Sequence, residues 1–182
     1  LDAKRKIDGY IEFHSKKSDT SFFGNNLLDT KTRTLTAGES FRVVSDKTIW
    51  YSQLSATGVS STQQDNYTDK HFSRYNLSVI RQQEVSKDTS LIWRLSAQLS
   101  PDAQLPSTEQ FSLGGMSSVK GFEESLVSGD QGYYLGVEYN FPLCRADNAL
   151  KGLLFLDNGS AYNKYENGVR TEDHLTSAGV GL

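Results

Sequence analysis

Apolar and polar residues alternate with a period of two along much of the chain, and that period predicts strands. In LIWRLSAQL, Leu91, Trp93, Leu95, Ala97 and Leu99 fall on one face, and Ile92, Arg94, Ser96 and Gln98 on the other. YYLGVEYNF sets Tyr133, Leu135, Val137, Tyr139 and Phe141 against Tyr134, Gly136, Glu138 and Asn140. YNLSVIRQ sets Tyr75, Leu77 and Val79 against Asn76, Ser78 and, imperfectly, Ile80. The pattern predicts eight strands, at 4–14, 31–43, 48–60, 70–84, 90–100, 132–143, 149–160 and 174–182. No segment carries an apolar stripe of helical period, so helix is not expected.

The predicted connections alternate in length. Short ones fall near Ser45, near Ser86 and between Arg145 and Asn148; long ones fall at 15–30, 61–69, 101–131 and 161–173. Transmembrane barrels sort their loops in this way, with tight turns on one side of the membrane and long loops on the other. The fold class expected is therefore all-β, an antiparallel transmembrane β-barrel of which about eight strands are present. A soluble antiparallel sheet packed on one face would show the same alternation. Loop sorting and the spread of aromatics along one outward face, from Tyr133 to Tyr139 and Phe141, favour the membrane.

Composition points the same way. Only 36% of the 182 residues are hydrophobic, against roughly 45–50% in ordinary globular domains, where Gly is counted. A barrel tolerates this, because only every second strand residue needs to be apolar. With 19 basic and 22 acidic residues, net −3, and no basic run longer than KRK at Lys4–Lys6, no nucleic-acid partner is expected. No apolar run is long enough for a spanning helix. The chain opens inside an expected strand, KRKIDGYIEF, so we expect a mature fragment whose export signal lies upstream.

Catalytic chemistry is not expected. Cys144 is single, which excludes an intrachain disulfide and a thiolate zinc site. His14, His71 and His174 have no partners at metal-ligand spacing and read as solvated residues. Glu123 and Glu124 are adjacent, which in extended chain points them to opposite faces. They read as surface charge. No phosphate-binding or dinucleotide motif occurs. No catalytic, metal or cofactor site and no small-molecule substrate is expected.

The connection 101–131 is far longer than the roughly 4–6 residues usual in compact domains. PDAQLPSTEQ reads as polar linker. FSLGGMSSVKGF is different, with three glycines and one lysine set between Val119 and a Gly-Phe pair. The run FSLGGMSSVKGFEESLVSGDQGYYLGVEYNF resembles the signature of the outer-membrane transporters of two-partner secretion in Gram-negative bacteria. These form the haemolysin secretion/activation family, in the superfamily that contains the barrel-assembly factor. The residues that carry the resemblance are Gly114, Gly115, Ser118, Val119, Lys120, Gly121 and Phe122, then Gly129, Asp130, Gly132 and Glu138. A second family motif, F-x-D-x-G, stands in order as Phe155, Asp157 and Gly159, and LTSAGVGL resembles the following strand.

The resemblance implies a loop folded into the barrel lumen, with its basic residue against the Asp of the wall; here that is Lys120 against Asp157. With Leu154 and Leu156 facing lipid, period two turns Asp157 inward. The family has Arg where this chain has Lys120, a point charge on a flexible stem in place of a planar fork. The resemblance implies a weaker latch for that reason. It further implies that residues 1–182 are a C-terminal part of one barrel domain, strands seven to fourteen of sixteen, with the periplasmic domains and last strands absent. The implied partners are outer-membrane lipid and a secreted exoprotein that crosses as an unfolded chain. The alternatives are an assembly factor for outer-membrane proteins, a small closed barrel serving as adhesin or anchor, and a soluble β-rich binding module.

Overall fold

The computed structural model describes residues 3–22, 25–63, 68–102, 104–143, 150–165 and 168–182. Eight strands form one antiparallel sheet, β1 (Lys4–Phe22), β2 (Asn25–Val44), β3 (Thr48–Gln63), β4 (Thr68–Ser86), β5 (Thr89–Leu99), β8 (Gln131–Pro142), β9 (Lys151–Lys164) and β10 (Arg170–Gly181). They pair in chain order, with β1 and β10 as the two edges. The sheet is open, so the small closed barrel is not what this chain forms. Between β5 and β8 lie a 3-10 turn (Ser107–Glu109) and a three-residue pair, β6 (Phe111–Leu113) with β7 (Val127–Gly129). No α-helix occurs among the described residues.

Six of the eight strands are longer than the alternation predicts, while β5 and β8 have the expected length. Most of the expected loop at 15–30 is ladder, with Lys16 paired to Thr32 and Ser18 to Thr30. Much of 61–69 and 161–173 is also strand. The cause is that pairing continues after the apolar face ends. Stretches such as HSKKSD are polar on both faces and carry no period-two signal, yet their backbone groups still require partners. The sorting of loops by length is correspondingly weaker; 100–130 is the one long connection among the described residues. The short turns at 45–47 and 87–88 stand as expected, with Ser45 N donating to Thr48 O at 2.9 Å. Cys144 and the turn between Arg145 and Asn148 lie outside the described residues.

The two faces of the sheet differ sharply. One carries exposed apolar side chains on every strand, among them Ile11 (78% exposed), Leu54, Leu99, Leu156 and Val180 (78%). The other is polar, and the segment 100–130 folds back onto it over β4, β5, β8, β9 and β10. The buried apolar cluster forms there. Leu113 and Val119 of the segment pack with Tyr134, Ala161 and Leu175 of the wall, flanked by Phe111, Phe122 and Val127. A molecule whose apolar cluster lies on its polar face, and whose other face exposes large apolar side chains along every strand, is built inside out for water.

Candidate functional site

The segment reaches the wall at two places, a tip and a base. At the tip the chain turns through Gly114 and Gly115, at φ of 108° and 90°. A Cβ on Gly115 would stand 1.9 Å from the Glu124 carboxyl carbon. Glycine is needed here for both dihedral and space. Ser118 closes the turn. Its Oγ accepts from Gly114 N at 2.9 Å and donates to Gly114 O at 3.0 Å. Glu124 accepts from Met116 N at 2.9 Å. It is therefore a brace within the segment as well as the surface charge expected of it, while Glu123 is exposed.

This turn presents Val119 to the apolar cluster and Lys120 to the wall. Lys120 Nζ lies 3.1 Å from Asp157 Oδ2 and 3.0 Å from Glu138 Oε1. Lys120 N donates to Asp157 Oδ2 at 3.2 Å. The ammonium also stands 5.0 Å from the centroid of the Phe155 ring. Asp157 is fully buried, and the Lys120 and Glu138 side chains are 13% and 10% exposed. Both carboxylates come from the polar face, Glu138 on β8 and Asp157 on β9, while Leu154 and Leu156 lie on the opposite face.

Two further residues complete the cluster, and neither was legible as a site residue. Arg94 of β5 donates to Glu138 Oε1, and Tyr134 Oη donates to Asp157 Oδ1 at 2.9 Å. Arg94 read only as one polar-face residue of a strand, and Tyr134 as a member of the face opposite Tyr133. The cluster holds two cations and two carboxylates, so its formal charge is zero. Burial is tolerable on that condition, since buried charges must be paired and hydrogen-bonded. Lys120 contacts both carboxylates here. A fork suits one carboxylate; an ammonium with three rotatable donors can bridge two carboxylates on neighbouring strands.

Gly136, between Tyr134 and Glu138, gives this cluster room. A Cβ there would sit 2.1 Å from Tyr134 Oη and 2.7 Å from Asp157 Oδ1. Gly159 plays the same part for packing, since a Cβ would stand 2.9 Å from Leu113 Cδ2. Gly121 is exposed with positive φ, and Phe122 flanks the apolar cluster.

The base is built around Asp130, 1% exposed. Its carboxylate accepts from Leu105 N at 2.8 Å, Gln104 N at 2.9 Å, Lys164 N at 3.3 Å and Gln110 Nε2 at 3.3 Å. Gly129 and Gly132 flank it in close contact with Tyr162 backbone and the Phe111 ring. PDAQLPSTEQ is not the plain linker that composition indicated. Asp102 accepts from Ser73 N at 2.7 Å, Glu109 pairs with Arg74 at 3.1 Å, and Gln98 donates to Glu109 O at 2.9 Å. Of the histidines, His174 bonds Ser160 and Thr176 on the apolar face. No cluster of metal-ligating side chains occurs among the described residues.

Among the described residues, the arrangement pairs charged and apolar side chains of the segment with those of the wall. It can hold a polypeptide segment against a wall. A family model described as haemolysin secretion/activation protein ShlB/FhaC/HecB matches residues 2–182. The chain is similar to the heme/hemopexin transporter protein HuxB of Haemophilus influenzae, at 28% identity over 169 residues, covering 84% of this chain and 30% of HuxB. It is also similar to the outer membrane transporter CdiB of Escherichia coli O6:K15:H31, at 43% identity over 75 residues, 40% of this chain and 12% of CdiB. The chain thus spans about a third or less of the length of these relatives.

Proposed function

This chain belongs to the haemolysin secretion/activation family, and from that premise we propose that it is part of the wall of an outer-membrane pore that exports a large partner polypeptide. Its apolar face meets lipid, and its polar face lines the lumen. The segment 100–130 is a plug held there, with Lys120 on Asp157 and Glu138 as the latch. Gly114, Gly115, Ser118 and Gly121 shape the tip; Gly129, Asp130 and Gly132 set the base; Phe155 and Gly159 are the wall against which the tip rests. Residues 1–182 are then a C-terminal part of a single barrel domain. The whole protein's partners are the unfolded exoprotein and the outer-membrane lipid, and transport uses no cofactor of its own.

One observation carries this reading. The buried charges and the buried apolar cluster both lie between the segment and the polar face, while large apolar side chains stand uncovered on the other face. A soluble module would reverse that. A membrane-protein assembly factor of the same superfamily would share the geometry; the transporters among the relatives favour secretion.

The test is secretion of the partner by the full-length protein carrying Lys120→Ala, Asp157→Ala or both. Each single change is expected to cut export while the protein remains in the outer membrane. The double change is expected to add little, because either one already breaks the pair. Export losses that multiply in the double variant would refute the latch.

A further inference from the structure

The apolar face carries a carboxylate with nothing to answer it. Glu39 of β2 lies on that face, level with Gly9 of β1 and Leu54 of β3, with Ala37 and Phe41 beside it along the strand. It is exposed, and no hydrogen bond or ion pair reaches its side chain among the described residues. A charge in a lipid-facing band is costly and marks a functional contact unless a partner is found. The same face carries one cation at a matching position. Arg81 of β4 stands between Trp50 of β3 and Trp93 of β5, and donates to Gln83 Oε1 at 2.9 Å. Glu39 lies five residues before the end of β2 at Val44, and Arg81 five before the end of β4 at Ser86. Both strands run into tight turns at the same margin of the sheet; the row of Glu39 crosses β4 at Leu77, four residues from Arg81, and the tilt of barrel strands against the axis brings the two charges towards a common depth. They do not meet within the chain, because β3 separates their strands and their rows are offset along it. Arg5 lies outward too, in the same row as Arg81 through Val43 and Trp50, but as the second residue of β1 it stands at the margin itself.

We propose that this face binds a second copy of the same protein in the membrane, with Glu39 of each copy paired to the partner's Arg81. The argument is charge complementarity under symmetry. A two-fold axis along the membrane normal, passing before β3, sets β3 against β3 and β2 against the other copy's β4. The pair Glu39–Arg81 then forms twice, as a self-complementary interface requires. Between the two rows β3 presents Trp50, Ser52 and Leu54, with the small Ala56 and Gly58 beyond them letting two sheets approach. Arg81 keeps donors beyond the one given to Gln83. The inference rests on the membrane reading above, because only there is an unanswered carboxylate out of place.

The test uses the full-length protein in its own outer membrane, with native cysteines, Cys144 included, replaced by serine. Leu54→Cys stands next to the axis and is expected to give a reducible dimer on mild oxidation. Ser55→Cys, on the opposite face, is expected to give none. In the Leu54→Cys background, Glu39→Gln or Arg81→Gln is expected to weaken dimerisation about tenfold or more, the loss of a desolvated pair on each side. Glu39→Arg or Arg81→Glu alone should abolish it, and the two together should restore it. A Leu54→Cys protein that stays monomeric, that links only to a protein of different mass, or whose charge swap fails to rescue overturns the proposal. Heat-modifiable migration and outer-membrane fractionation report barrel insertion separately. Absence from that fraction overturns the membrane reading and this proposal with it, whereas an inserted but monomeric barrel overturns this proposal alone.

Discussion

At the tip of the folded-back segment one ammonium lies between two carboxylates, one of them fully buried; at its base Asp130 is buried to the same degree, yet three of its four donors are backbone N–H groups. The difference concerns what must move for each to open. The Lys120 side chain can swing away from both carboxylates, which leaves one backbone bond at the tip, Lys120 N to Asp157 Oδ2. Backbone donors at Gln104, Leu105 and Lys164 cannot leave Asp130 unless the start of the segment and the end of β9 change course. The tip is therefore held chiefly by a side chain and the base chiefly by backbone. The apolar cluster between them, centred on Leu113 and Val119, ties the two together.

Breaking the tip should have the largest effect. Asp157→Asn keeps the shape but leaves Lys120 with Glu138 alone, and loss of a buried partner costs about 3–5 kcal/mol. Hydrogen exchange in the full-length protein should then quicken across 111–127, with 104–105 and the strands still protected. Uniform protection across the segment would remove the distinction between tip and base. Asp130→Asn should cost less, about 1.5–3 kcal/mol for charged hydrogen bonds weakened but still sterically possible. Its signature should be reversed, with faster exchange at Gln104, Leu105 and Lys164. The smallest effect belongs to Gly136→Ala. The added methyl meets the Tyr134 hydroxyl at 2.1 Å and Asp157 Oδ1 at 2.7 Å; when the tyrosine yields, one hydrogen bond worth about 1 kcal/mol is lost. It should sensitise the tip alone. If it loosens the base equally, the apolar cluster and not the charges governs both ends.

Much of this was legible in the sequence, for identifiable reasons. The centres of the strands could be read because lipid demands an apolar residue at every second position. Their outer ends could not, because beyond that band both faces are wet and the ladder leaves no trace in composition. The opposition of Lys120 and Asp157 came from motif resemblance, since no spacing rule links residues 37 apart. Arg94 and Tyr134 gave no signal because strand alternation assigns a face but not the register that sets Arg94 beside Glu138 and Tyr134 beside Asp157 on the adjoining strands. Asp102 and Glu109 looked like linker residues for the same reason. Their partners, Ser73 and Arg74, are brought near only when the segment doubles back. The open charge of Glu39 needed the register itself, which shows that nothing across from it is polar.

On the export reading proposed above, the length of β1–β4 has a consequence for a polypeptide leaving the pore. β2 runs for 20 residues; at about 3.3 Å per residue and a tilt near 40°, it rises about 50 Å along the axis, twice the roughly 25 Å of a barrel's lipid band. The surplus stands on the side away from the tight turns and belongs to β1–β4, since β5, β8 and β10 have only 11 or 12 residues. On that reading, it would form a one-sided screen between an emerging polypeptide and the lipid.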